Sequence, residues 1–227
     1  MAEILFAEYD TAIRNTLEQA FRGEGYEVRS CRDGEEVLAA YAARRPDLLL
    51  LDVNIPKKCG YDVCVEIRRN DVLVPVVFLA ENPSEETIML GLDLGADAFI
   101  PKSVRQDVLL ARLAVIMKWK QRVAAASAQN DTFIVGNVQI DATRFTVRNA
   151  GAPEVTLTAR ELGLLRAFAA HPGEVLSRDT LLDAVWGENY FASSRTLDQH
   201  IVQIRRKLGK SGDLIETVRG IGYRLRA

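Results

Sequence analysis

Cysteine and histidine are scarce, with three and two copies in 227 residues. Cys31, Cys59 and Cys64 are odd in number and lack CxxC spacing, which suits reduced thiols and argues against a disulfide framework or a zinc site. Lys57 and Lys58 precede Cys59, so a redox-sensing thiol stands beside the blander reading of an inert loop cysteine. No apolar run approaches the ~18 residues that a bilayer-crossing helix needs. Met1-Ala2-Glu3 leads straight into a strand pattern, so no signal peptide and a cytoplasmic location are expected. Internal repeats and low-complexity segments are also missing.

Hydrophobic residues make up 48% and charged residues 26%, the balance of a folded globular chain. The length is comfortable for two domains. The net charge of −2 is unevenly spread. Residues 1–130 carry 16 basic against 20 acidic side chains, and residues 131–227 carry 13 against 11. From Arg195 onward there are eight basic and three acidic residues. Such a local surplus is the footprint of a phosphate-backbone binder, although a solvated charged face gives the same count.

Short β-rich apolar runs recur at 4–7, 27–31, 47–52, 74–80 and 98–102, separated by stretches of helical periodicity such as Ile13, Leu17, Ala20 and Phe21. This alternation predicts an α/β fold, a five-stranded parallel sheet doubly wound by helices. Leu48 to Leu51 are apolar at every position, as in a central strand buried on both faces. The functional crevice of such a sheet lies at the carboxyl ends of its strands. Glu8, Asp10, Asp52 and Lys102 fall there. Clustered carboxylates suit Mg²⁺, one of them can accept a phosphoryl group, and a lysine opposite balances the added charge. Polar loop residues without function remain the alternative on spacing alone.

Across residues 3–120 the chain resembles the receiver domain of two-component response regulators. "DLLLLDVNIPKKCGYDV" resembles the phospho-acceptor loop, which implies Asp52 as the acceptor and Asn54 as a backbone metal ligand, with Pro56 and Gly60 matching the loop. "GADAFIPK" resembles the fifth-strand segment, which implies Lys102 as the phosphate-contacting lysine and Phe99 as the switch aromatic. There are departures. Tyr9 stands where the family has a second acid, so Mg²⁺ binding is weakened unless Asp10 substitutes. Ala80 replaces a hydroxyl residue and has nothing to donate to a phosphoryl group. Ser103 replaces the proline that usually follows the lysine. Two readings follow, a degenerate receiver weakly coupled to phosphorylation, or an ordinary one repaired by Asp10 and water. Asp97 and Arg112 match charged positions of the family's dimer surface. Ile88, Ala98 and Val108 stand where charges are common, so a more apolar surface favouring a homodimer is expected.

The receiver-like domain is therefore placed at residues 1–122. A linker follows at 123–131, rich in small and polar side chains, continuing the last helix before fraying. The second domain spans 132–227. Runs at 133–140, 145–148 and 154–157 read as antiparallel strands, with turns at Gly136 and 149–151. Thr158-Ala159-Arg160-Glu161 forms a capping box that opens a helix to about Ala170, stopped by His171-Pro172-Gly173. Ser177 caps a second helix through Trp186. A third, capped by Ser194, carries a core stripe of Leu197, Ile201, Ile204 and Leu208. Arg195, Gln199, Val202 and Arg206 fall on its opposite face, with Gln203 at the edge. Arginine and glutamine can make bidentate contacts to guanine and adenine. The strands at 214–219 and 223–226 around Gly220-Ile221-Gly222 complete a winged helix whose arginines can reach the minor groove.

"LTARELGLLRAFAAHPGEVLSRDTLLDAVWG", "SRTLDQHIVQIRRKLG" and "LIETVRGIGYRL" resemble the OmpR/PhoB-type effector domain over residues 133–226. The resemblance implies DNA contacts from Arg195, Thr196, Gln199, His200, Val202, Gln203, Arg206, Lys207, Thr217, Arg219 and Tyr223. His200 supports either packing or a phosphate contact. Val202 and Gln203 occupy positions that are often basic, so a different site preference is expected. The implied partners are double-stranded DNA with tandem half-sites, a second copy of the chain, RNA polymerase and a sensor histidine kinase. Two other classes are weighed against this regulator. A phosphatase using Asp52 lacks a separate general acid. A pseudo-receiver, controlled by ligand, partner or abundance, accounts for Tyr9 and Ala80.

Overall fold

The structure, a computed structural model, describes residues 1–126, 132–149, 153–186 and 194–226, and the side chains of all these except 119–126, 194 and 195. The chain divides into two compact units, Met1–Met117 and Lys118–Ala227.

In the first unit, strands β1 (Glu3–Ala7), β2 (Glu27–Cys31), β3 (Leu48–Asp52), β4 (Val76–Ala80) and β5 (Ala98–Pro101) alternate with helices α1 (Thr11–Gly23), α2 (Gly34–Ala43), α3 (Gly60–Arg68), α4 (Glu85–Asp93) and α5 (Gln106–Ala126). All pairings are parallel, in the order β2-β1-β3-β4-β5. Every expected strand forms within two residues of its expected bounds. β1, β3 and β4 are buried at each position, which explains their unbroken apolar sequence. The strand order reverses beside β1 and β3, and the crevice beyond their carboxyl ends is where such folds bind ligands. Helix α5 continues through residues 123–126, as the linker reading allowed, while 127–131 lie outside the described residues.

The second unit opens with an antiparallel sheet of β6 (Thr132–Val135), β7 (Val138–Asp141), β8 (Thr146–Asn149) and β9 (Val155–Thr156), in that order. The run at 133–140 forms a hairpin, with the turn at Gly136 that its sequence marked. Gly136 turns it at φ +60°, close against Leu214, where any Cβ would collide. Residues 150–151 of the turn expected at 149–151 lie outside the described residues.

Three helices follow, α6 (Ala159–Ala170), α7 (Arg178–Trp186) and α8 (Ser194–Leu208). Thr158 and Glu161 form the reciprocal capping box, and the Ser177 hydroxyl accepts the Thr180 amide at 3.0 Å. Leu197, Ile201, Ile204 and Leu208 are all fully buried, so α8 packs on the stripe read from its sequence. Strand β10 (Val175–Ser177) had no signal of its own. It joins the terminal hairpin of β11 (Ile215–Val218) and β12 (Gly222–Leu225) by pairing with β12. Three helices with a three-stranded wing make a winged-helix domain.

Candidate functional site

Two regions carry functional chemistry, and each lies within one unit. In the first, β3 ends on Asp52, which is buried, with Oδ1 accepting the Asn54 amide at 3.1 Å. Asp52 Oδ2 lies 2.9 Å from Lys102 Nζ, and Glu8 Oε2 lies 2.6 Å from the same ammonium. Lys102 is aligned through its backbone, whose amide donates to the Ala80 carbonyl at 2.7 Å. Desolvation lowers the lysine's pKa, but hydrogen bonds with Glu8 and Asp52 outweigh it, so Lys102 titrates above its ordinary value and stays charged.

The loop after β3 is tightly held. A Cβ on Gly60 would sit 2.6 Å from the Asp52 carbonyl oxygen, so only glycine permits this approach. Lys57 adopts φ +64° and pairs with Asp33 at 2.8 Å. Asp33 itself caps α2 and titrates below its ordinary value, chiefly through the Lys57 contact.

The neighbouring residues differ in their roles. Asp10 caps α1, its Oδ1 accepting the Ala12 and Ile13 amides at 2.8 and 3.0 Å. Those two amides, Ile13 first, hold its carboxyl below the usual range. Tyr9 is 63% exposed and carries no carboxylate. Ala80 is buried and offers no hydroxyl. Half-buried Phe99 packs on Phe78 at 5.8 Å, and Phe78 in turn meets Tyr61 edge-on at 5.0 Å. Gly91 of α4 closes over this aromatic group, since a Cβ there would come 2.9 Å from Phe78. Among the described residues, no group of three or more His, Cys, Asp or Glu converges to hold a metal.

The expected dimer surface also changes. Asp97 is buried and accepts from the Val76 amide at 2.9 Å and from Arg68 at 3.0 Å, so it serves its own domain. Ala98 is fully buried. Arg112, Ile88 and Val108 are half-buried. Met89 and Leu90 of α4, which sequence reasoning passed over, are the large apolar side chains exposed there. The thiol of Cys59 faces Asp62 at 3.1 Å, and both neighbouring lysines are paired, Lys57 with Asp33 and Lys58 with Glu66.

In the second unit, α8 exposes less than its periodicity promised. Thr196, Gln199, His200 and Gln203 are all buried. They flank the core stripe. His200 packs its ring 5.1 Å from Trp186, between the cations of Arg160 and Lys207, so its role is packing. Lys207 pairs with buried Glu161 at 2.6 Å, which ties the end of α8 to the start of α6. Tyr223 is buried, donates its hydroxyl to Asp198 and lies beneath the guanidinium groups of Arg178 and Arg205 at 5.3 and 5.8 Å. Asp198 also pairs with Arg178, so one carboxylate joins α7, α8 and β12. Val202 and Arg206 remain exposed on α8, as do Thr217 and Arg219 on the wing. Thr217 accepts from Arg205 at 2.9 Å, while Arg219 stands beside the turn at Gly220, φ +73°. The side chain of Arg195 lies outside the described residues.

Comparison with known proteins agrees with both geometries. Residues 4–114 match the family described as the response regulator receiver domain, and residues 151–225 match the C-terminal domain of transcriptional regulatory proteins. The chain is 36% identical to the transcriptional regulatory protein CseB of Streptomyces coelicolor, covering 99% of this chain and 97% of the relative. It is 35% identical to the response regulator MprA of Mycobacterium tuberculosis, covering 98% and 96%. Among solved structures, a RitR mutant superposes with a TM-score of 0.79 at 26% identity, covering 100% and 99%. DrrB of Thermotoga maritima, described as an OmpR/PhoB homolog, superposes at 0.51 with 26% identity over the full length of both chains. These full-length relatives are regulators and not enzymes, and they do not favour the phosphorylation-independent alternative. The chain belongs to the two-component response regulators and joins a receiver domain to an OmpR/PhoB-type DNA-binding domain.

Proposed function

We propose that Asp52 is the phospho-acceptor through which a sensor histidine kinase controls DNA binding by the C-terminal domain. The observation that carries this reading is the Asp52–Lys102 contact at the carboxyl end of β3. A carboxylate oxygen of Asp52 attacks the phosphorus of a phosphohistidine. The P–N bond breaks, and the departing imidazole keeps the electron pair and takes up a proton. Lys102, already charged, offsets the negative charge that arrives on Asp52.

Receiver domains generally use Mg²⁺, and the donors here fit it in kind. Glu8 and Asp52 supply hard oxygens, within the one or two carboxylates that Mg²⁺ takes beside a phosphate. Tyr9 offers no carboxylate where the family has a second acid, and Asp10 caps α1 through one of its oxygens, so weak binding is expected. When bound, the ion neutralises charge on the phosphoryl oxygens.

The domains act from 1–122 and 132–227, across a linker at 123–131. Phosphorylation promotes a homodimer on tandem half-sites, through a surface that includes Arg112, Met89 and Leu90, and the dimer recruits RNA polymerase. Val202 and Arg206 of α8, with Arg219 of the wing, are the DNA-facing side chains this reading takes from the described residues. It puts the protein in the bacterial cytoplasm. Among the described residues, no helix is long and apolar enough to cross a membrane.

The test is intact mass after incubation with Mg²⁺ and a small phosphodonor, beside Asp52→Asn. The expected result is a gain of one phosphoryl group, absent in the variant, with tighter DNA binding. Labelling that persists in Asp52→Asn, or none in the wild type, would refute the assignment.

A further inference from the structure

We infer that Val202 selects thymine, by packing against the thymine C5-methyl group in the major groove. The inference rests on α8 being the groove-entering helix. Exposure along that helix is narrow. Its core stripe is fully buried, and Gln199 and Gln203, the polar side chains best suited to reading base edges, are 8% and 6% exposed. Arg205 is engaged by the Ile215 carbonyl and Thr217, and Asp198 by Arg178 and Tyr223. Val202 is 51% exposed, with Arg206 exposed one turn further along the same face.

A single exposed valine is ordinary on a protein surface, and its position is what matters. Arg206, Lys210 and Arg219 are exposed on α8, just beyond its end and on the wing, which suits a polyanionic occupant. On a face that meets phosphates and base edges, an isopropyl group can donate and accept no hydrogen bond. The apolar group that a base pair presents in the major groove is the thymine methyl. Covering it removes apolar surface from water on both sides, whereas guanine, adenine or cytosine opposite Val202 would lose hydration of a polar edge without replacement. The helix thus discriminates by an apolar contact at the point where a basic side chain would read guanine or phosphate.

Duplexes selected by the full-length chain from a random library provide the probe, with uracil replacing thymine one position at a time. This exchange deletes the methyl group and nothing else. At one or more thymines, wild-type affinity measured by fluorescence anisotropy at fixed salt should fall roughly fourfold, the factor from burying one methyl-sized group. Val202→Ala should bind the thymine and uracil duplexes nearly alike at those positions. It changes only an exposed side chain, and circular dichroism checks its fold. Uracil replacement without effect anywhere, or an equal loss in wild type and Val202→Ala, would overturn the valine contact while leaving DNA binding intact. If the chain binds no DNA at all, the reading of α8 as a groove-entering helix fails, and this inference with it.

Discussion

Lowering the pH from 7 to 5 should destabilise the winged-helix domain by about 2 kcal/mol through one imidazole. His200 is 4% exposed, stacked near Trp186. Burial first, and then the charges of Arg160 and Lys207, push its pKa from 6.5 down to about 3. The sign follows from where the proton binds. Below 6.5 the unfolded chain protonates this histidine, while the folded chain resists until about 3, so stability falls with acidification across that window. The slope is ~1.4 kcal/mol per pH unit, which gives about 2 kcal/mol by pH 5. With an m-value of ~2 kcal/mol/M, the urea midpoint should drop by roughly 1 M. Trp186 fluorescence, read in the full chain carrying Trp119→Phe, follows the unfolding of this domain. Acid effects from carboxylates are common to wild type and His200→Phe and cancel in the comparison, so the variant should lack the 2 kcal/mol component. Equal acid sensitivity in both proteins would refute the reasoning. The chain has only two histidines, so imidazole NMR gives an independent check. A His200 ring signal that shifts between pH 7 and pH 5 would refute it equally.

Three further changes have definite expected outcomes. Thr158→Ala removes one side of the capping box and should cost about 1 kcal/mol in the same unfolding assay, with an unchanged midpoint counting against the cap. Gly60→Ala drives a Cβ towards the Asp52 carbonyl, so a loss of roughly 1–3 kcal/mol in receiver stability is expected, with slower phosphoryl labelling. Wild-type labelling in that variant would show that the loop gives way freely. Arg206→Ala should lower the slope of log affinity against log salt by about 1 if Arg206 meets a phosphate, and an unchanged slope would assign it elsewhere.

Much of the fold was legible because local rules and tertiary packing agree. The unbroken apolar run at Leu48 to Leu51 marked a strand buried on both faces, and the Thr158–Glu161 spacing marked a helix start. Gly136 likewise marked the turn inside 133–140, which forms at a positive φ close to Leu214. The miss occurred where long-range pairing outweighed local pattern. Strand β10 is three residues long and gains its identity from pairing with β12, a partner some fifty residues away that local periodicity cannot see.

The sites show the same division more sharply. Asp52 and Lys102 come together from the ends of β3 and β5 because the topology brings those ends into one crevice. Asp10 and Asp97 carry the charge the chemistry asks for, yet each also meets a backbone need, one capping α1 and the other holding the Val76 amide. Composition cannot distinguish a carboxylate that serves a ligand from one that serves its own chain. In α8 a 100° periodicity separates a buried stripe from an open face, but a helix clasped by neighbours is buried over far more than its stripe. Gln199, His200 and Gln203 are therefore covered, and Val202, the residue with the least hydrogen-bonding chemistry, is left on the open face. Val202 and Arg206 share that face, one apolar and one basic, and replacing thymine by uracil measures the proposed apolar contribution directly.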